Sequence, residues 1–412
     1  YCFFYAFLFS ILAYPSSGTP FVDHHSAFFS LMGIYFLLLG IKNKEKIYWF
    51  LMPVFLGVAF FSKQVPASYA ILSVFLILIL YSLKKKTFKY LNYSFVGSAG
   101  FIILVLIFGY FLEIKFSSFI EQYIQYPQTI GSARYENFTF TFKGIIGHFK
   151  FIYFILIPMF YLYVKNFIKS KKSIQNDEIF IFLIWLFYTF SLILHQLLTK
   201  NQTFIFFLIP LLTAFTHIIL DRVKLKYKSL FFMLIILFCV FSVFKYHLRF
   251  NENRKFHEMT DVNFELAADA KKIHNKLSGL NWISPNFKNK AEEEIVIINQ
   301  IKSYLQDDDR KKMLLSNYAF FSVILNEKLF SPSSAFADDG TTHPMMGNKY
   351  IDKYSKLMIE IIEKNNVQVI YIAGKLDNKH IYNYINKKCF NEILIYENLV
   401  SYELKSCGEI NN

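Results

Sequence analysis

Long apolar runs alternate with short polar breaks along the first 248 residues. After a first run that ends at Tyr14, apolar segments fall at approximately 26–40, 47–62, 67–83, 93–112, 149–168, 178–198, 204–220 and 229–247. A membrane-spanning helix needs about 20 apolar residues, and several runs are shorter, which indicates tilted, kinked or re-entrant helices in a bundle. The pattern predicts a polytopic helical membrane region over 1–248 with about nine helices. The first helix is expected to be partial and to follow an upstream element.

Residues 249–412 show a different pattern, in which helix and strand signals alternate. Helices are predicted over 261–278, 291–305 and 347–364, and strands over 311–316, 367–372, 392–396 and 400–404. Such alternation is typical of a small α/β domain with a mainly parallel sheet. The fold class expected is therefore a helical membrane bundle followed by a small α/β domain.

Basic residues are concentrated in alternate loops between the apolar runs. About fifteen Lys and Arg lie near 42–46, 84–89, 165–172 and 222–228, whereas the loops on the opposite side contain few Lys and Arg. The positive-inside rule makes the first set cytoplasmic. The chain is then expected in a bacterial cytoplasmic (inner) membrane, with the C-terminal domain in the periplasm. This loop bias also accounts for much of the net charge of +14, so no nucleic-acid partner is expected.

The sequence Asp23-His24-His25 interrupts the apolar pattern at the predicted outer face. A carboxylate beside imidazoles at the edge of a bilayer indicates a catalytic or substrate-orienting site, and Asp23 is a candidate ligand for a divalent cation such as Mg or Mn. The competing interpretation is that Asp23 caps the following helix.

Several other polar residues on the predicted outer side are candidate substrate-binding groups. Lys63 and Lys200 are candidates for binding a lipid phosphate, with Gln202 in the same turn as Lys200. Arg134 lies in the aromatic loop 113–148, which also fits interfacial anchoring. Asp339 and His343 lie in the densest polar loop of the C-terminal domain. The alternatives are a snorkelling lysine for Lys63 and plain turns for the rest, and His195 is interpreted as an interior histidine.

Cysteine usage leaves two alternatives open. Cys389 and Cys407 flank two candidate strands, so they either form a disulfide in an oxidising compartment or are separately buried thiols. Cys2 and Cys239 lie in apolar runs and are interpreted as packing residues. The chain lacks a P-loop, a dinucleotide fingerprint and a Ser-centred nucleophile elbow, so an enzyme here needs an activated substrate.

The order and sidedness of these segments resemble the GT-C superfamily of polyprenyl-phosphate-dependent glycosyltransferases, which includes protein mannosyltransferases and aminoarabinose transferases. The segment from Gly57 to Lys63 is similar to that family's G-L-A-x-L-T-K pattern, and the stretch from Lys200 to Pro210 is similar to its basic turn followed by L-x-P. Asp23-His24-His25 resembles its second acidic motif. The resemblance covers roughly residues 1–250.

The resemblance implies an inverting transfer of a sugar from a polyprenyl-phosphate donor to a glycan, lipid or protein acceptor of the cell envelope. The family's general base lies in the first outer loop, which is expected upstream of residue 1, so Asp23 would bind metal or orient the acceptor. Membrane lipids are the other expected partners. The alternatives are an O-antigen polymerase or ligase, and a lipid-linked glycan transporter.

Overall fold

The computed structural model of the chain describes residues 1–13, 22–130, 141–169, 177–199, 205–252, 259, 261–333, 335–337, 340–374 and 376–405. Within them the N-terminal region is a series of nine helices of at least twelve residues. They are α1 Cys2–Ala13, α2 Val22–Asn43, α3 Lys46–Ser62, α4 Gln64–Lys85, α5 Lys89–Phe111, α6 Lys150–Lys169, α7 Asp177–Thr199, α8 Leu208–Arg222 and α9 Lys228–His247. Short helical turns lie between α5 and α6, at Phe116–Phe119, Ile120–Gln125 and Lys143–Gly147.

Among the described residues, six helical segments are long and apolar enough to cross a membrane. They are Val22–Asn43, Gln64–Lys85, Lys89–Phe111, Asp177–Thr199, Ile205–Arg222 and Lys228–Glu252. The chain is therefore a multi-pass membrane protein, and the predicted fold class of a helical membrane region followed by a small α/β region is confirmed.

Glycines let α3 and α5 approach each other closely. A Cβ added to Gly97 on α5 would lie 2.2 Å from the Phe50 carbonyl oxygen on α3, and one added to Gly57 on α3 would lie 2.3 Å from the Phe101 ring on α5. Association of helices in lipid depends on such close packing, because lipid chains are as apolar as the helix surfaces. Gly57 thus has a packing role that its place in the motif-like segment did not reveal.

Ion pairs join helix ends at the end of the helical region away from the start of α2. Asp177, the first residue of α7, accepts from Lys44 at 2.9 Å and pairs with Lys85 at the end of α4 at 2.7 Å. Glu178 pairs in turn with Arg222 at the end of α8. These pairs place the ends of α2, α4 and α8 beside the start of α7, as alternating helix directions require.

The chain divides into two compact units. One comprises residues 1–124 and 132–257, and the other comprises 125–131 and 258–412. The segment 125–131, which follows the π-helical turn Ile120–Gln125, thus belongs to the C-terminal unit. Within that unit the Tyr126 hydroxyl donates to the Gly340 carbonyl, and the Asn348 amide donates to Thr129 Oγ1 at 3.1 Å.

The C-terminal unit contains a four-stranded mixed sheet with a helix on each face. The strands are β3 Lys312–Ser316, β4 Val369–Ala373, β5 Phe390–Tyr396 and β6 Leu399–Leu404, in the order β3-β4-β6-β5. Helix α10 (Ala291–Asp307) packs with Leu314 and Tyr371, and α11 (Ile351–Asn365) packs with Met313 and Ile370. Strands β3 and β4 are buried on both faces, which explains why the residues at their centres are apolar. A separate pair, β1 Ala268–Asp269 and β2 Asn281–Trp282, is antiparallel.

The expectation of a mainly parallel sheet is wrong. Only β3 and β4 are parallel, whereas β6 is antiparallel to both β4 and β5. The β3–β4 connection is long enough to hold a crossover helix, but a two-residue turn joins β5 to β6, and a turn this short allows only an antiparallel pair.

The helix predicted over 261–278 is also wrong. The segment forms the turns Phe264–Leu266, Ala270–Lys272 and Asn275–Leu277 together with β1. Side chains of Asn263, Asp269 and His274 each accept from the backbone N–H two residues ahead. Such local hydrogen bonds compete with a continuous helix and favour separate turns.

Of the four cysteines, Cys2 and Cys239 are free and Cys389 is disulfide-bonded. Cys407, the partner that the sequence offers, lies outside the described residues.

Candidate functional site

Asp23 lies between an ammonium group and an imidazole ring at one end of the helical region. It lies in the first turn of α2 and is 9% exposed. Lys63 Nζ donates to Asp23 Oδ2 at 2.6 Å, and His195 Nε2 lies 3.0 Å from Asp23 Oδ1. Both carboxylate oxygens therefore bind side chains from outside α2, one from α7 and one from the α3–α4 junction. An end cap formed with the backbone of α2 is not the arrangement seen, because α2 begins before Asp23, at Val22.

Lys63 is the single residue between α3 and α4. Its backbone is extended, and its carbonyl accepts a hydrogen bond from Ser26 Oγ at 3.0 Å. Ser26 lies one turn after Asp23 on α2, so the same helix contacts both the backbone and the ammonium group of Lys63. The Lys63 side chain remains 34% exposed, so Lys63 is only partly enclosed by its contacts with α2.

His195 is an interior histidine, as the sequence predicts, but its contact with Asp23 was not predicted. It lies on the last turns of α7 and is 1% exposed. The Tyr188 hydroxyl on the same helix donates to the Ala27 carbonyl of α2 at 2.7 Å, which fixes α7 beside α2. The sequence did indicate that the two residues could be close, because His195 lies near the predicted outer end of an apolar run and Asp23 lies on the same predicted side.

His24 and His25 do not share the position of Asp23. Successive residues of a helix are turned by about 100°, so neither histidine leaves α2 in the direction of Asp23. His24 is buried, with its ring 6.4 Å from that of Phe28, and His25 is half-buried. We call Asp23, Lys63 and His195 the Asp23 site.

Aromatic residues stabilise the end of α3 next to Lys63. The Tyr123 hydroxyl donates to the carbonyls of Phe60 and Phe61 at 2.8 and 2.9 Å, and Gln64 Nε2 donates to the Tyr123 carbonyl at 2.8 Å. Burial raises the pKa of the Tyr123 phenol to about 12. The rings of Phe61, Phe119 and Tyr123 stack on one another. The turn Ile120–Gln125 therefore packs against the α3–α4 junction and stabilises it.

The described residues do not supply a complete set of metal ligands around Asp23. Both of its oxygens are engaged by Lys63 and His195, and no group of three or more His, Cys, Asp or Glu side chains that could hold a metal ion occurs in the described ranges. Asp23 remains the metal ligand that the sequence predicts.

The other predicted site residues divide between the described and undescribed parts of the chain. Arg134, Lys200, Gln202 and Asp339 lie outside the described residues. His343 lies in the C-terminal unit and is fully buried, with its ring stacked on Phe336 at 3.7 Å and its Nδ1 3.0 Å from Thr342 Oγ1. Among the predicted residues that the structure describes, Asp23 and Lys63 are thus in direct contact.

We compared the chain with protein-family models, with curated proteins and with solved structures, and none of the three comparisons found a match.

Proposed function

We propose that the chain is a membrane glycosyltransferase that moves a sugar from a polyprenyl-phosphate donor to a cell-envelope acceptor. One observation carries the proposal. The Lys63 ammonium group lies at the end of the helical region, where a buried carboxylate holds it, and the Lys63 side chain is 34% exposed. A cation held in place where a spanning helix ends is suited to the phosphate of a membrane lipid.

The proposed chemistry is an inverting displacement. An acceptor oxygen attacks the anomeric carbon of the donor sugar, the bond from that carbon to the phosphate oxygen breaks, and the lipid phosphate leaves with the electron pair. Lys63 neutralises the charge that develops on the leaving phosphate, which is the electrostatic contribution expected of a fixed cation in a site of low dielectric constant. A separate carboxylate takes the acceptor's proton in this proposal, because the Asp23 oxygens already bind Lys63 and His195.

The proposed location is a bacterial inner membrane, with the Asp23 site and the C-terminal domain on the periplasmic side. The distribution of Lys and Arg among the loops supports this orientation. A polyprenyl-phosphate donor also suits an enzyme without a nucleotide-binding motif, because the sugar arrives already activated.

The test is a transfer assay in proteoliposomes with a panel of undecaprenyl-phosphate-linked sugars and an envelope extract as acceptor. Mass spectrometry follows the lipid product. The proposal predicts that the wild type releases undecaprenyl monophosphate. Asp23→Ala and Lys63→Ala should strongly reduce this release, whereas the exposed control Lys84→Ala should not. Full activity in both site variants would show that the site assignment is wrong.

The same assay separates the alternatives. A polymerase or ligase that uses a lipid-diphosphate donor releases the diphosphate, and a transporter releases neither product while moving the intact lipid. Either result in place of monophosphate release would contradict the proposed transfer.

A further inference from the structure

Five basic side chains converge where α6 begins and α9 ends. They are Lys143, His148, Lys150, Lys245 and Arg249, here called the Arg249 cluster. This is the end of the helical region that holds the Asp23 site. The Phe206 ring, just before α8, stacks on Tyr246 of α9 at 3.8 Å, and α8 follows the end of α7 that carries His195.

Two of the five basic side chains, one from each helix, lie over the same ring. Lys245 Nζ lies 4.7 Å and Lys150 Nζ 5.8 Å from the centre of the Phe151 ring. Burial and the positive charges of Arg249 and Lys143 lower the pKa of His148, which places both cations in its electrostatic surroundings.

No carboxylate neutralises these cations in the part of the chain that the structure describes. None of the five forms an ion pair there, and the nearby Glu252 lies 3.6 Å from His247 instead. His148 Nδ1 is a buried atom that makes no hydrogen bond within the same ranges. The cluster thus combines unneutralised positive charge with an unused imidazole nitrogen, and an anion would satisfy both.

An aromatic surface continues from the cluster along the same two helices. The Phe238 ring lies 5.7 Å from Phe151 and 4.5 Å from Phe154, and Phe241 lies 6.2 Å from Phe151. Phe154 and Phe241 are 60% and 56% exposed. In a membrane protein, exposed rings next to a spanning segment contact acyl chains, so the surface is apolar directly beside the cations.

We propose that the Arg249 cluster and this aromatic surface bind one anionic phospholipid of the surrounding bilayer. The cations and His148 contact the headgroup phosphate, and the rings of Phe151, Phe154, Phe238 and Phe241 contact the acyl chains. Snorkelling explains an isolated lysine at a helix end. It does not explain two ammonium groups over a single ring near an arginine that forms no ion pair within the described residues. The site does not depend on the proposed transfer reaction.

The test is a lipid titration of the whole chain in an uncharged detergent, followed by native mass spectrometry. The probes are phosphatidylglycerol and phosphatidylcholine with identical acyl chains. We expect phosphatidylglycerol to bind more tightly, and Lys245→Gln/Arg249→Gln to weaken its binding by about tenfold or more. The matched control, Lys84→Gln/Lys89→Gln, removes two charges from the opposite end of the helical region and should change binding less than about twofold. Phe241→Ala should weaken binding by a smaller factor without changing the charge.

Three outcomes would overturn the proposal. Equal binding of the two lipids excludes recognition of the anionic headgroup. Equal losses of phosphatidylglycerol affinity in the cluster variant and the control variant would show that only the net charge of the protein matters. Inorganic phosphate at the same concentration should leave phosphatidylglycerol bound. If phosphate displaced phosphatidylglycerol, the cluster would be a phosphate-binding site that does not recognise the acyl chains.

Discussion

Asp23 and His195 are separated by 172 positions in the sequence, and their side chains meet at 3.0 Å. This contact joins the first turn of α2 to the last turns of α7, while the second carboxylate oxygen of Asp23 binds Lys63. A buried carboxylate needs such partners, because ionised groups away from water are costly unless they are paired and hydrogen-bonded. His195 therefore positions Asp23, and Asp23 positions the ammonium group of Lys63.

Replacing His195 tests this chain of contacts. His195→Leu removes one hydrogen bond from the carboxylate, which leaves it free to turn away from Lys63. If the proposed transfer holds, kcat/KM for lipid-phosphate release should fall roughly 10–100-fold, the equivalent of one hydrogen bond to a charged group. His195→Gln keeps a donor on the side chain and should restore part of the activity. Unchanged kinetics in His195→Leu, with the protein folded, would remove His195 from the site.

The packing of α3 on α5 predicts unequal effects for two glycines of one helix. Gly97→Ala places a Cβ 2.2 Å from the Phe50 carbonyl oxygen, so the helices must separate, whereas a Cβ at Gly109 meets nothing within 4 Å. Gly97→Ala should lower the yield of monodisperse protein in detergent and its Tm. Gly109→Ala should match the wild type on gel filtration and thermal unfolding. Equal behaviour of the two variants would contradict the close α3–α5 contact.

The helices were predictable from sequence because each spanning segment carries its own signal, a long apolar run closed by polar residues. The contacts of the Asp23 site were predictable only in part. Sidedness placed Asp23 and Lys63 at the same face, but their pairing depends on how α2 packs beside the α3–α4 junction. His195 was assigned to the interior because a histidine in an apolar run has no local feature that distinguishes a core residue from a partner of a distant carboxylate.

The C-terminal unit shows the same limit. Strand β3 was visible as a short apolar run and β4 as a β-branched one. Strand direction depends on connection length and pairing order, which these runs do not encode. The segment 261–278 has enough helix-forming residues to suggest a helix. Its Asn263, Asp269 and His274 side chains instead bind the backbone ahead of them and stabilise turns.

Asp177 should contribute more to stability than a surface carboxylate with a single partner. It pairs with both Lys44 and Lys85 and joins the ends of three helices. Asp221 is largely exposed, and Lys228 is its single ion-pair partner among the described residues. Asp177→Asn weakens two ion pairs and leaves two lysines close together. We expect its free energy of unfolding to fall by about 1–2 kcal/mol, with a lower Tm. Asp221→Asn should leave the Tm almost unchanged, and an equal loss in both variants would contradict a special role for Asp177.

Asp308 should make the stability of the C-terminal sheet depend on pH. Burial raises its pKa, but hydrogen bonds from Arg310 and Tyr371 outweigh burial and hold the pKa below its usual range. A depressed pKa stabilises the fold above the unfolded value of about 3.9, and this stability is lost as the pH falls through the folded value. Hydrogen-exchange protection factors of β3 and β4, corrected for the intrinsic rate, should therefore fall below about pH 4. Asp308→Asn should lower the protection factors at pH 7 and make them change less between pH 7 and acid pH. The exposed neighbour Asp309→Asn should behave as the wild type. A parallel decline in the Asp308→Asn variant and the wild type would show that another group controls the acid sensitivity.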